Sequence, residues 1–425
     1  MDKTRKFRRC LLWMYWMGIV GIIGMTVFYV ERRIPKQFSM TVGELEELNF
    51  ALPFEVTLMS ESEEVVLGNP SDIPSNEIRL KAEEPLSLFA SKEGTYRLGM
   101  KLFGKIQFKE IQVDVVKSQY AVPCGIPVGI YMKSDGVMVI GTGKITDAQG
   151  QEVEPAYGVL QSGDYIEAIN GQPIQDKEAL ITSLNRIGES EALLRIRRDG
   201  KFMDVSMNPV QSEDGSYKLG AWVRDDTQGI GTMTYVDKNG RFGALGHGIS
   251  DSDTGEIVQM KHGNLYETEI LGIEKGNIGK PGVMAGVIYY GPGTLLGTVT
   301  HNTENGIFGT VGTKLEYLME NQAMEIGYRQ DIKKGKAYIR SNVSGQLRDY
   351  EIEILKVDLN PVQENKSLVI RVTDPELLRI TGGIVQGMSG SPVLQNGRIV
   401  GAVTHVLVND PTRGYGIFIE NMLEH

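Results

Sequence analysis

The chain has 425 residues, 44 basic and 54 acidic, for a net charge of −10. That length predicts more than one domain. The acidic balance, with no long basic run after the first ten residues, argues against a nucleic-acid partner.

Residues 11–30, LLWMYWMGIVGIIGMTVFYV, carry no charge. As a helix they would extend about 30 Å, the thickness of a bilayer core. Trp13, Trp16 and Tyr29 sit near the ends, where amphipathic rings favour the interface. Lys3, Arg5, Lys6, Arg8 and Arg9 precede the segment, against Arg32, Arg33 and Lys36 after it. The stronger cluster predicts a cytoplasmic tail over 1–10, an anchor over 11–30, and the remainder across the membrane. No A-x-A-like site follows, so an uncleaved anchor is expected rather than a signal peptide. Cys10 borders this segment and Cys124 lies far beyond it, so no disulfide is expected.

Fifty-one glycines interrupting short apolar runs predict a mainly β protein. Residues 31–115 alternate apolar and polar positions, as in EIRLKAEEPLSLFAS, and are expected to form a small β-rich domain with a loop at 68–77.

Over 118–208, CGIPVGIYMKSDGVMVIG reads as two strands joined at Ser134-Asp135-Gly136. A helix is expected over 176–187, with Ile181, Leu184 and Ile187 on one face. Together with SGDYIEAINGQPI, this arrangement resembles a PDZ domain. The resemblance implies a peptide groove whose carboxylate-binding loop is Gly125, Ile126, Val128, Gly129 and Ile130. Such a groove takes an extended peptide onto a sheet edge.

Near the C-terminus, GMSGSPV places Ser389 between glycines. A serine nucleophile needs a base, a group that orients the base, and N–H groups aimed at the developing oxyanion. Gly387 allows a sharp turn that would point the N–H groups of Gly387 and Ser389 to one spot. With serine at 391 the pattern is not G-x-S-x-G. Among five histidines, His247 in GALGHGISD has glycines that permit close approach; His262 reads as a surface turn, and His301 and His425 have no evident partner. DTG at 253–255 and GIGTMT at 229–234 read as turns, and no H-E-x-x-H occurs. No metal or cofactor is expected.

YKLGAWVRDDTQGIGTMTYVDKNGRFGALGHGISD and GGIVQGMSGSPVLQNGRIVGAVTHVLVNDPTRGYGIFIENML, at the two ends of 216–425, resemble the SpoIVB peptidases, serine endopeptidases of spore-forming bacteria. The resemblance implies a trypsin-like double β-barrel with His247 as base, Asp374 as orienting acid and Ser389 as nucleophile. A carboxylate oxygen of Asp374 is then expected about 2.6–3.2 Å from His247, with Asp251 and Asp253 as competitors. Thr404 and His405 fall on the strand expected to line the substrate pocket. The resemblance further implies self-cleavage and cleavage of a membrane-bound regulator of sigma-factor processing, in the space between the forespore membranes. An HtrA-like quality-control protease and an inactive PDZ scaffold are the alternatives.

Overall fold

The computed structural model describes residues 2–48, 55–68, 75–81, 85–102 and 106–423. Asp2–Arg33 is one α-helix of 32 residues, with Trp13 and Trp16 exposed. Among the described residues no helix is long and apolar enough to cross a membrane. Several side chains of this segment, including those of Ile22 and Ile23, lie outside the description.

From Ile34 the chain builds two sheets around one core. Five strands lie in the order Gln37–Thr41, Ile106–Val116, Gly94–Leu102, Val56–Ser60 and Glu77–Leu80; three more lie as Leu45–Leu48, Leu86–Ala90 and Val65–Gly68. Alternation buries Ile78 and Leu80, and then Leu86, Leu88 and Ala90, against Phe38, Leu58 and Val113. Most of the loop expected at 68–77 falls on 69–74, outside the described residues. This domain docks on loops at Gln330 and Asn360. Asn360 donates to the Glu31 and Ile34 carbonyls at 2.7 and 2.8 Å, and Gln330 donates to the Ser39 carbonyl at 2.6 Å.

The next feature governs everything after it. Tyr120–Thr142 is a single strand of 23 residues, paired antiparallel with the 17-residue strand Ala221–Asp237, from Ala121 opposite Asp237 to Thr142 opposite Ala221. The hairpin expected at 134–136 does not form. Gly136, at φ +93°, and the Ser134 hydroxyl, bonded to the Gly136 carbonyl at 2.6 Å, bend the strand while the partner continues alongside.

The outer half of this ribbon belongs to an inserted unit. Val137 and Val139 share its core with Ile166, Leu180, Leu184, Leu194, Ile196 and Leu219. Its helix Lys177–Ile187 starts at Asp176, whose carboxylate accepts from the Ala179 N–H, and stops at Gly188, at φ +63°. The helix register differs from expectation. Leu180 and Leu184 are buried, one turn apart, and Ile181 is 51% exposed.

The inner half belongs elsewhere, which overturns the assigned peptide loop. Gly125, Ile126, Val128, Gly129 and Ile130 lie inside the strand, not in a loop. Ile130 pairs with Gly229 on one side and Leu265 on the other, so no free edge is left there for a peptide. Val128 and Ile130 are 0% and 2% exposed, in a core with Met233, Leu265 and Ile307. A Cβ at Gly129 would lie 2.5 Å from the Ile288 side chain. The expected boundaries at 118–208 and 216 therefore shift. Residues 137–223 contribute to the inserted core, while 120–134 join the chain beyond 226.

That last region hydrogen-bonds into a closed sheet around two main cores. One gathers Val128, Ile130, Met132, Met233, Leu245, Leu265 and Ile307; the other Ile339, Ile352, Ile370, Met388, Val403 and Phe418. GIGTMT at 229–234 is strand rather than turn, and Gly231 makes room for Leu245, whose side chain would sit 2.1 Å from a Cβ there.

Candidate active site

His247 is delivered by the first core. After the strand Arg241–Ala244 the chain turns sharply through Leu245 and Gly246, both left-handed at φ +70° and +69°. The glycines flanking His247 are required by crowding. A Cβ at Gly248 would lie 2.5 Å from the Thr303 carbonyl, and one at Gly246 would lie 3.0 Å from Thr404 and Ile417. His247 Nδ1 lies 2.8 Å from the Gly248 carbonyl. A carbonyl only accepts, so Nδ1 carries the proton and Nε2 presents its lone pair. Burial pushes the ring's pKa below the ordinary histidine value, with the Gly248 carbonyl pulling the other way.

Ser389 is delivered by the second core, through buried Met388. Its loop turns at Gly387 and Gly390, at φ +101° and +96°. A Cβ at Gly390 would lie 2.0 Å from the Thr232 carbonyl, so no other residue fits without moving the backbone. Thr232 ties the loop to the first half-site. Its N–H donates to the Ser389 carbonyl at 3.0 Å and its hydroxyl to the Gly387 carbonyl at 2.7 Å. The Ser389 hydroxyl donates to the Thr404 carbonyl at 2.6 Å. Among the described residues, no backbone carbonyl accepts from the Ser389 N–H.

The two meet in a cavity of about 450 Å³. His247, Ser389, Gly387, Thr404 and His405 line it, with Ile130, Ile230, Leu245, Ile384 and Val406 as apolar walls. Among the described residues, no Asp, Glu, Lys or Arg lines it. The rings of His247 and His405 lie 4.7 Å apart between centroids, inclined by 34°.

The structure does not bring Asp374 to His247. Asp374 caps the helix Pro375–Thr381, its carboxylate accepting from the Glu376 and Leu377 N–H groups at 2.9 and 3.0 Å and from the Glu351 N–H at 3.4 Å. The local sequence explains this: Asp followed by Pro is a strong helix start. Asp251 is also committed elsewhere. Buried, it pairs with Arg224 and accepts from the N–H groups of Asp253 and Thr254 at 2.9 and 3.0 Å, which makes DTG the expected turn. Asp253 pairs with the same arginine at 2.8 Å. Arg224 lies on the ribbon, so these acids tether the segment after His247 to the inserted unit. His262 lies on the strand Met260–Tyr266, not in a turn, and His301 Nδ1 meets the Thr300 hydroxyl at 2.9 Å. His425 lies outside the described residues.

Sequence reasoning missed Thr232, Arg224 and the Gly248 carbonyl. The glycine-spaced GIGT preceding a His-bearing segment was the available signal for Thr232. The carbonyl had none, since every residue carries one.

Residues 215–423 match the family described as SpoIVB peptidase S55. The protein named "Putative zinc metalloprotease LL2128" from Lactococcus lactis subsp. lactis (strain IL1403) is 36% identical over 83 residues; the chain spans about a fifth (19%) of its length. Two solved structures are similar to parts of the chain. The PDZ domain of the SdrC-like protein (Lmo2051) from Listeria monocytogenes is 20% identical, with TM-score 0.18, covering 21% of this chain and 87% of that one. The Rv3671c protease from M. tuberculosis, active form, is 14% identical, with TM-score 0.26, covering 47% of this chain and 74% of that one.

Proposed function

Residues 215–423 belong to the SpoIVB peptidase S55 family, and from that premise we propose that this peptidase is a serine endopeptidase using His247 and Ser389. The observation that carries the reading is their convergence. One histidine with its Nδ1 proton fixed and one serine on a glycine-forced turn, delivered by separate cores, line the same cavity. Nε2 of His247 takes the Ser389 proton as the hydroxyl attacks the scissile carbonyl, then returns it to the leaving amine. The Ser389 N–H, which no backbone carbonyl among the described residues occupies, is a donor for the oxyanion, with Gly387 as its expected companion.

The biological setting extends this reading. The family and the uncharged segment 11–30 support an anchored enzyme whose bulk lies outside the cytoplasm, in the space between forespore membranes. Its substrates there are itself and a membrane-bound regulator of sigma-factor processing. The inserted unit, with its PDZ resemblance, is the proposed peptide holder. A fluorophosphonate probe tests the chemistry: the full chain should be labelled at Ser389 and Ser389→Ala should not. Labelling that persists in Ser389→Ala would assign the nucleophile elsewhere.

A further inference from the structure

We propose that His405 is a positioning residue for the base: its ring backs His247 in a cavity that no described Asp or Glu lines, so that the imidazolium forms against an aromatic face. This rests on His247 acting as the base. In a serine peptidase the base becomes a cation in mid-reaction and needs stabilisation at that moment. An acid usually supplies it. Here Asp374 caps a helix, Asp251 pairs with Arg224, and among the described residues no acidic one lines the cavity. The Gly248 carbonyl fixes the tautomer but contributes only a dipole.

His405 is the group at the right place. Its ring lies 4.7 Å from that of His247, at an inclination of 34° that presents one face to the other. Cations are stabilised over aromatic faces at such separations. The strand Arg398–Leu407 holds His405 there, immediately after the Thr404 carbonyl that takes the Ser389 hydroxyl. The Nδ1 atom of His405 is buried and has no hydrogen-bond partner among the described residues. A buried nitrogen without a partner calls for an explanation. A ring that bonds no acid at Nδ1 has nothing there to draw it into the charged form, and it stays a neutral face. The charged and titratable groups beside it are His247 and, from the turn Glu364–Lys366, Lys366. Burial opposes a proton on His405 most strongly and both of these groups oppose it further, pushing its pKa down to about 4.

The test compares three variants of the full chain with a peptide substrate. His405→Ala should lower kcat about tenfold, the size of a lost contact of about 1.4 kcal/mol, with KM within about twofold. It should also move the acid limb of kcat/KM to lower pH, because the imidazolium form of His247 loses the face that stabilises it. His405→Phe keeps the face and should recover most of kcat, with the acid limb near the wild-type position. Should His405→Ala fail to fold, His405→Gln, which keeps length and polarity without the face, replaces it and should fall as far as Ala was expected to. If Phe is as impaired as Ala or Gln, the ring nitrogens are what matters and the proposal fails. If only KM changes, His405 is a substrate contact and the proposal fails. Fluorophosphonate labelling of Ser389 in the wild type separates these outcomes from failure of the peptidase reading itself.

Discussion

The Ser389 hydroxyl donates a hydrogen bond to the Thr404 carbonyl, at 2.6 Å, and among the described residues not to His247. The nucleophile is held on a strand that also borders the cavity, so attack requires it to leave one acceptor for another. An extended substrate pairing with that strand offers a backbone N–H to the same carbonyl. Scanning single N-methyl groups along a cleavable peptide should therefore find one amide whose methylation lowers kcat/KM about tenfold, roughly one hydrogen bond. A flat scan would show that Ser389 leaves Thr404 unaided.

Asp374 as a helix cap makes a prediction opposite to that of Asp374 as an orienting acid. Asn is as good a cap as Asp, whereas Ala costs about 1 kcal/mol. Denaturant melts should show Asp374→Ala destabilised by about that amount and Asp374→Asn close to wild type, with proteolysis by Asp374→Asn largely retained. A rate loss of order 10⁴ in a stably folded Asp374→Asn enzyme would place the carboxylate at His247 in the working state instead.

Cys124 reports on where residues 121–134 reside. It is 1% exposed, in the core with Met132 and Met233, and burial pushes its thiol up to about 12. Iodoacetamide should modify it only after unfolding. Rapid alkylation of the native protein would return this stretch to an open groove.

Both cavity histidines have pKa values below the ordinary one, and the sign of the resulting pH dependence follows. Below about pH 6.5 the unfolded chain takes up protons on these rings that the folded chain refuses. Stability should fall as pH drops from about 6.5 towards 4 and stop changing on His405's account once that ring is itself protonated. Denaturant midpoints measured from pH 7 to 4 should show this slope, and His405→Phe should flatten it. An unchanged slope in that variant would mean that His405 titrates normally.

The sequence pointed to the candidate pair more directly than to the partition of the chain. Ser389 and His247 were singled out because their glycine-rich segments resemble those of the SpoIVB peptidases, and crowding at Gly248 and Gly390 shows why those glycines are needed. The helix at 177–187 was legible from Asp176 and Gly188; its buried face was misjudged by one residue, since Leu180 and Ile181 are equally apolar. Asp374 was misread because a cap and an orienting acid use the same side chain. The 121–134 strand was misassigned for a topological reason. A strand's alternation says which face is buried, not which distant strands supply its partners, and here these are at 226–237 and 260–266.

The ribbon also sets an order of assembly. Residues 121–134 leave the ribosome well before 226–237, and the whole inserted unit is made between them. The core that carries His247 cannot close until that unit has been synthesised and its two ends brought together. Such distant pairing is slow, because loop-closure entropy opposes it before any contact rewards it. Meanwhile the early strand, with both edges open, is the stretch of chain most exposed to wrong partners. A nascent chain halted before residue 226 therefore lacks the partner strand of that core and both residues of the proposed pair, so peptide-bond chemistry is switched on by synthesis of the last part of the protein.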